Sequence, residues 1–94
     1  MNSLFEVIDK TGRKIRLTRT QYEHILRHKG IENYLEEIQQ TLQNPLKIIF
    51  RGSLTDYYTF HKHRKSRFRF LKVVVKYLNG EGFVITAYFV REIK

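Results

Sequence analysis

Arg69-Phe70-Leu71-Lys72-Val73-Val74-Val75-Lys76-Tyr77-Leu78 and Gly82-Phe83-Val84-Ile85-Thr86-Ala87-Tyr88-Phe89-Val90-Arg91, separated by Asn79-Gly80-Glu81, decide how this chain of 94 residues folds. Both runs are rich in β-branched and aromatic residues, and alternate residues of a strand share a face. One face of the first run carries Leu71, Val73, Val75 and Tyr77; the other carries Phe70, Lys72, Val74 and Lys76. In the second run the two sets are Phe83, Ile85, Ala87 and Phe89, then Val84, Thr86, Tyr88 and Val90. The cleaner apolar set of each strand must face the core, so Val73 and Val75 lie against Ile85 and Ala87. That register needs an odd-length turn, the three residues Asn79-Gly80-Glu81, because a slip of one residue would carry lysines inward. Val74 then faces Thr86, Lys72 faces Tyr88, and Lys76 faces Val84. Thr86 falls diagonally between the two lysines, about 5–7 Å from each. The outer face thus presents Lys72, Lys76, Thr86 and Tyr88 over an apolar floor of Phe70, Val74 and Val84.

Working outward, Leu46–Arg51 and Leu54–Phe60 are two further strands joined at Gly52-Ser53, and hairpin-length links predict an antiparallel meander. Leu4–Ile8 and Arg13–Leu17 flank Asp9-Lys10-Thr11-Gly12 as an N-terminal β-hairpin with Gly12 at positive φ. Thr18-Arg19-Thr20-Gln21 and Thr20-Gln21-Tyr22-Glu23 both match a capping box. They open a helix that runs to about Lys29, with Tyr22, Ile25 and Leu26 as its apolar stripe. A second helix, from Ile31 or Glu32 to Gln43, gathers Ile31, Tyr34, Leu35, Ile38 and Leu42 on one face and stops at Asn44-Pro45. The fold expected is α+β: the hairpin and two helices packed on one face of a four-stranded antiparallel sheet, in a single domain spanning residues 1–94.

The formal net charge is +9, and it is concentrated. Residues 1–56 hold nine Lys/Arg against seven Asp/Glu, or +2; residues 57–94 hold nine against Glu81 and Glu92 alone, or +7. Solubility does not require that asymmetry, whereas a polyanion partner exploits it. No long helix combines a basic face with a lipid-type stripe, and no apolar run approaches the roughly 20 residues of a membrane span. Without cysteine, thiolate catalysis, disulfides and Cys-ligated zinc are excluded. The first residues lack the basic-then-apolar pattern of a signal peptide, so a cytoplasmic location is expected.

Hydroxyls, cations and aromatic rings on one sheet face suit a phosphate beside a stacked base. The loop His61-Lys62-His63-Arg64-Lys65-Ser66-Arg67-Phe68-Arg69 adds five permanent cations and an aromatic ring. Lys62, Arg64, Lys65, Arg67 and Arg69 suit backbone-phosphate contacts, with Phe68 able to stack; such contacts supply affinity rather than sequence reading. His24 and His28, at i, i+4 with Arg27 beside them, have three readings: a solvent-facing pair with no role, proton-transfer groups of usable pKa, or two ligands of a zinc site. The zinc reading requires a third ligand from His61, His63 or a carboxylate, and no HExxH or Cys-based pattern accompanies it.

Tyr22-Glu23-His24-Ile25-Leu26-Arg27-His28, the helix ending at Asn44-Pro45, Phe70-Leu71-Lys72-Val73-Val74-Val75-Lys76 and Gly82-Phe83-Val84-Ile85-Thr86-Ala87-Tyr88 together resemble the phage-associated branch of the barnase–EndoU–colicin–RelE (BECR) nuclease superfamily. The likeness runs from about Thr18 to Lys94. It implies helices on a four-stranded antiparallel sheet and RNA cleavage without a metal or other cofactor. It also implies a site drawn from the first helix and the open sheet face. Carried over, His24 and Thr86 lead, followed by Lys72, Lys76 and Tyr88. RNA brings its own 2′-hydroxyl nucleophile, so a base, an acid and charge-stabilising cations suffice. His24, helped by His28, is expected to move protons, with Lys72, Lys76 and Arg51 neutralising charge and Thr86 and Tyr88 binding the phosphate. The expected product is a 2′,3′-cyclic phosphate, with tRNA among the substrates to test. An acidic antitoxin or immunity protein is the expected protein partner, in keeping with a toxin- or defence-like nuclease. Two rivals remain: a non-catalytic RNA-binding module on the same scaffold, and a metal-dependent hydrolase built on His24 and His28.

Overall fold

The computed structural model describes residues 3–28, 30–61 and 67–94. Its elements are β1 (Ser3–Ile8), β2 (Lys14–Thr18), α1 (Arg19–Ile25), α2 (Leu35–Gln43), β3 (Lys47–Arg51), β4 (Leu54–Phe60), β5 (Phe70–Leu78) and β6 (Glu81–Val90). The sheet has six strands in the order β1-β2-β6-β5-β4-β3, not four. The difference lies at one junction. Ile15 and Arg16 of β2 pair in parallel with Gly82 and Phe83 of β6, which splices the N-terminal hairpin onto the meander and makes the sheet mixed. Every other pairing is antiparallel.

β5 and β6 meet through a two-residue turn rather than three. Leu78 pairs with Glu81, and Asn79 and Gly80 take φ of 52° and 82°, as a tight primed hairpin turn requires. An even turn alone would reverse the faces. The register instead shifts between Val74 and Val75: Val75 pairs with Val84, while Val74 pairs with Thr86, leaving Ile85 as the extra residue of a bulge. Beyond the bulge, Val73 meets Ala87 and Lys72 meets Tyr88, the register expected from the alternation. On the turn side, Val84 enters the core and Lys76 pairs with Phe83, so the expected Lys76–Val84 neighbours and the Val84 floor are not formed.

The helices cover one face of the sheet. Ile25, Ile31, Ile38 and Leu42 pack with Ile15, Leu17, Tyr57, Leu71, Val73, Val75, Val84 and Ala87 in a continuous buried core. α2 begins at Leu35 because Asn33 takes a left-handed φ of 69°, although Ile31 and Tyr34 still reach the core. Glu36 and Glu37 in its first turn face the positive end of the helix dipole. α1 starts at Thr18, whose hydroxyl accepts the Gln21 N–H at 3.2 Å. It ends at Ile25, four residues before the expected stop.

A second polar device holds the hairpin down. The Asp9 carboxylate accepts N–H bonds from Thr11 and Arg13 at 2.9 and 2.8 Å and also the hydroxyls of Thr11, Tyr57 and Tyr77. Burial alone would raise its pKa. The donors, Tyr57 first and then Thr11 and Arg13, outweigh burial and hold it below the ordinary 3.8. Burial, reinforced by the bond to Asp9, pushes the Tyr57 phenol up.

Two outcomes follow from these packings. A Cβ on Gly82 would stand 2.7 Å from Tyr77 Cε1 and 2.9 Å from Ile15 Cγ1. Gly82→Ala is therefore expected to cost about 1–3 kcal/mol in urea unfolding, as overpacking does. The lowered pKa of Asp9 makes its contribution complete above pH 3.8 and lost as pH falls through the lower folded value. Asp9→Asn should weaken the fold at neutral pH and flatten its loss of stability below that point, read by acid titration of the unfolding midpoint.

Candidate functional site

Cross-strand partners share a face, so the pairings map the side of the sheet away from the helices as three rows. Lys47, Tyr58, Lys72 and Tyr88 form one row; Ile49, Asp56, Val74 and Thr86 form the next; Arg51, Leu54, Lys76 and Phe83 form the third. The floor is closed to solvent, since Tyr58 and Val74 are buried along with Asp56.

Asp56 organises the cations. Its carboxylate is 1% exposed and accepts Arg51 Nε at 2.6 Å and Arg51 Nη2 at 2.8 Å, a two-pronged bond. Lys72 Nζ stands 3.6 Å from the same carboxylate, with the side chain 16% exposed. That ammonium also lies 5.8 Å from the Tyr58 ring centre and 5.4 Å from that of Tyr88. Burial, the largest influence on Lys72, pulls its pKa down. The hydrogen bond and charge interaction with Tyr88, then Asp56, outweigh it and raise the pKa above the usual 10.5. Lys72 is thus held as a cation.

The imidazole arrives from the helical side around the edge of β6. β2 leaves that edge after Phe83, and α1 takes its place: Gln21 Nε2 donates to the Ile85 carbonyl, the outward-facing oxygen of the bulge. The chain then turns beyond α1, the His28 N–H donating to Ile25 O at 3.0 Å and the Ile31 N–H to His28 O at 3.4 Å. Gly30, at φ 85°, completes the reversal. His28 Nε2 and Thr86 Oγ1 share a hydrogen bond of 3.1 Å, and the His28 ring centre lies 5.3 Å from that of Tyr88. An imidazole, two hydroxyls and an ammonium therefore converge on one surface.

Of the expected site residues, His28, Thr86, Tyr88 and Lys72 come together. His24 does not join them: it is exposed in the last turn of α1, and no hydrogen bond or ring contact among the described residues links it to Thr86. Because α1 stops at Ile25, His24 and His28 are not the helical i, i+4 pair that their spacing suggested. Among the described residues, no three His, Asp or Glu side chains group as a metal site. Arg27 is exposed just past α1, Lys76 is exposed beside Phe83, and Arg51 is tied to Asp56. Arg67, Phe68 and Arg69 are exposed, with the guanidinium carbon of Arg67 5.9 Å from the Phe68 ring centre. Lys62, Arg64 and Lys65 lie outside the described residues, as does His63. Asp56 was missed from the sequence. Its signal was an acid in the middle of the otherwise uncharged strand Leu54–Phe60, where aspartate is disfavoured unless something neutralises it.

A family model described as phage-Barnase-EndoU-ColicinE5/D-RelE like nuclease 2 matches residues 4–91. No curated protein and no solved structure matches the chain.

Removing Asp56 should expose how much the site depends on it. Asp56→Ala leaves the mostly buried Lys72 without its carboxylate and is expected to cost about 3–5 kcal/mol. Arg51→Ala takes both short bonds from the 1% exposed Asp56 carboxylate and leaves it Lys72 alone, so it should destabilise the fold as well. Urea unfolding of the two variants checks both losses.

Proposed function

The chain belongs to the phage-Barnase-EndoU-ColicinE5/D-RelE like nuclease 2 family, and from that premise we propose that it is an endoribonuclease that turns the 2′-hydroxyl of its own substrate into the nucleophile. Nuclease is what the family supplies. One observation carries the rest: the 3.1 Å bond between His28 and Thr86, set beside Tyr88 and the Lys72 ammonium, whose pKa is raised.

In this reading the scissile phosphate sits over Thr86 and Tyr88. His28 takes the proton of the 2′-hydroxyl, and the 2′-oxygen attacks phosphorus. Negative charge grows on the phosphoryl oxygens, where the Lys72 ammonium and the Thr86 hydroxyl stabilise it. The bond from phosphorus to the 5′-oxygen breaks, and the departing oxygen takes the Tyr88 hydroxyl proton. The phenolate left behind rests beside Lys72 until solvent restores its proton, and His28 returns to solvent the proton it took. The products are a 2′,3′-cyclic phosphate and a free 5′-hydroxyl, and no step needs a metal. His28 replaces His24 as the proton-transfer group. Arg27, Arg67, Arg69 and Lys76, with Lys62, Arg64 and Lys65, add sequence-independent affinity for the RNA backbone. Such a face is hazardous to a host's own RNA in the cytoplasm, so an acidic antitoxin or immunity protein that covers it belongs to the same proposal.

Total RNA, with tRNA assayed separately, incubated with the protein in EDTA should yield fragments ending in 2′,3′-cyclic phosphate. His28→Ala should lower the rate about 10²–10⁴-fold, the usual worth of general acid–base help, while RNA affinity is kept. Thr86→Ala should slow cleavage with affinity nearly unchanged. RNA left intact at enzyme excess would refute ribonuclease action on these substrates. Activity that vanishes in EDTA and returns with a divalent metal would refute the metal-free mechanism.

A further inference from the structure

Beyond Lys72 the open face runs into a cleft of about 460 Å³, whose lining includes Tyr58, Phe68, Lys72, Arg91, Glu92 and Lys94. Two of its walls are flat. Phe68 is 40% exposed, and the guanidinium carbon of Arg91 lies 5.8 Å from its ring centre. Aromatic rings and guanidinium planes are the surfaces on which unpaired bases stack, because every base has a π-face. The volume lies within the range of small-ligand pockets, roughly 300–1,000 Å³, which is room for one nucleoside. Lys72 belongs to both places. It lines the cleft and also sits 5.4 Å from the Tyr88 ring centre in the cluster with His28 and Thr86. A base in the cleft would therefore have its own phosphate within reach of the cluster.

We propose that this cleft is the subsite for one unpaired nucleotide adjoining the scissile phosphate, its base stacked on Phe68 and Arg91; the proposal rests on the ribonuclease reading above. A base inside a duplex cannot turn out into the cleft without breaking its stack and its pairing. The subsite therefore directs cleavage to loops and single strands. Selection comes from conformation rather than base identity, since stacking tolerates every base.

Binding separates this subsite from the chemistry. Fluorescence anisotropy with a 2′-O-methyl RNA hexamer, which has no free 2′-hydroxyl and so is not cleaved, is compared with a hexamer of the same backbone lacking all its bases. The intact protein is expected to prefer the base-bearing hexamer by about tenfold, the order of one base stacked on an aromatic side chain. Phe68→Ala should reduce the preference to less than about threefold while leaving affinity for the baseless hexamer unchanged. Arg91→Lys, which keeps the charge and removes the plane, should weaken the preference in the same direction. Equal affinity of the intact protein for the two hexamers overturns the subsite, as does a preference that survives Phe68→Ala. Cleavage of RNA without base-dependent binding would leave the nuclease reading standing and remove the subsite. Base-dependent binding without cleavage would do the reverse.

Discussion

The arrangement of the open face depends on one extra residue. If the register set by the turn, Leu78 opposite Glu81, ran unbroken along β5 and β6, Val73 would face Thr86 and Lys72 would face Ala87. The hydroxyls of Thr86 and Tyr88 would then point under the helices, and Lys72 would stand apart from both. Ile85 absorbs the mismatch and puts all three on one surface. Its carbonyl, turned outward at the edge of the strand, is satisfied by Gln21, and Gln21 is placed by the helix start at Thr18. The same few residues therefore anchor α1 to the edge, re-aim the strand and bring His28 round to Thr86. Bulges are over-represented beside active sites for this reason: they change the aim of a side chain without breaking the sheet.

The molecule buries two aspartates and treats them differently. Asp9 is surrounded by uncharged donors, two backbone N–H groups and three hydroxyls, and its lowered pKa reflects that saturation. It ties the first hairpin to β4 and β5 on the helix side. Asp56 is neutralised by two cations whose far ends remain on the open face. A carboxylate satisfied by hydrogen bonds is spent on the fold, whereas one balanced by charges holds those charges in place for something else. Lys72 shows the effect in part: a partly buried ammonium would ordinarily lose affinity for its proton, and with Tyr88 first and then Asp56 beside it this one gains it.

Much of this was legible in the residues. The pairing of Val73 with Ala87, Val74 with Thr86 and Lys72 with Tyr88 follows from which faces can be apolar, and so does the open face. The turn and the bulge were not legible. Val84 and Ile85 are both β-branched and either can fill the core, so the alternation cannot say which one is the extra residue. The sixfold sheet escaped because a parallel contact of two residue pairs leaves no pattern in sequence. The end of α1 was misplaced because Leu26-Arg27-His28-Lys29 contains no helix breaker, so propensity alone would carry the helix past Ile25, where it ends. The misplaced end is why the residues suggested His24, whereas the fold sets His28 beside Thr86.

Strand order also bears on when the protein acquires its chemistry. β6 lies inside the sheet, between β2 and β5, yet it comes after every other described strand in chain order. Until residues 81–90 are available, the hairpin has nothing to splice onto and α1 has no edge to cover. The histidine then has no threonine to meet. Such pairings, distant along the chain, form late because loop closure must come first. In a chain of this kind the cluster of His28, Thr86, Tyr88 and Lys72 cannot assemble until the residues of β6 have joined the sheet.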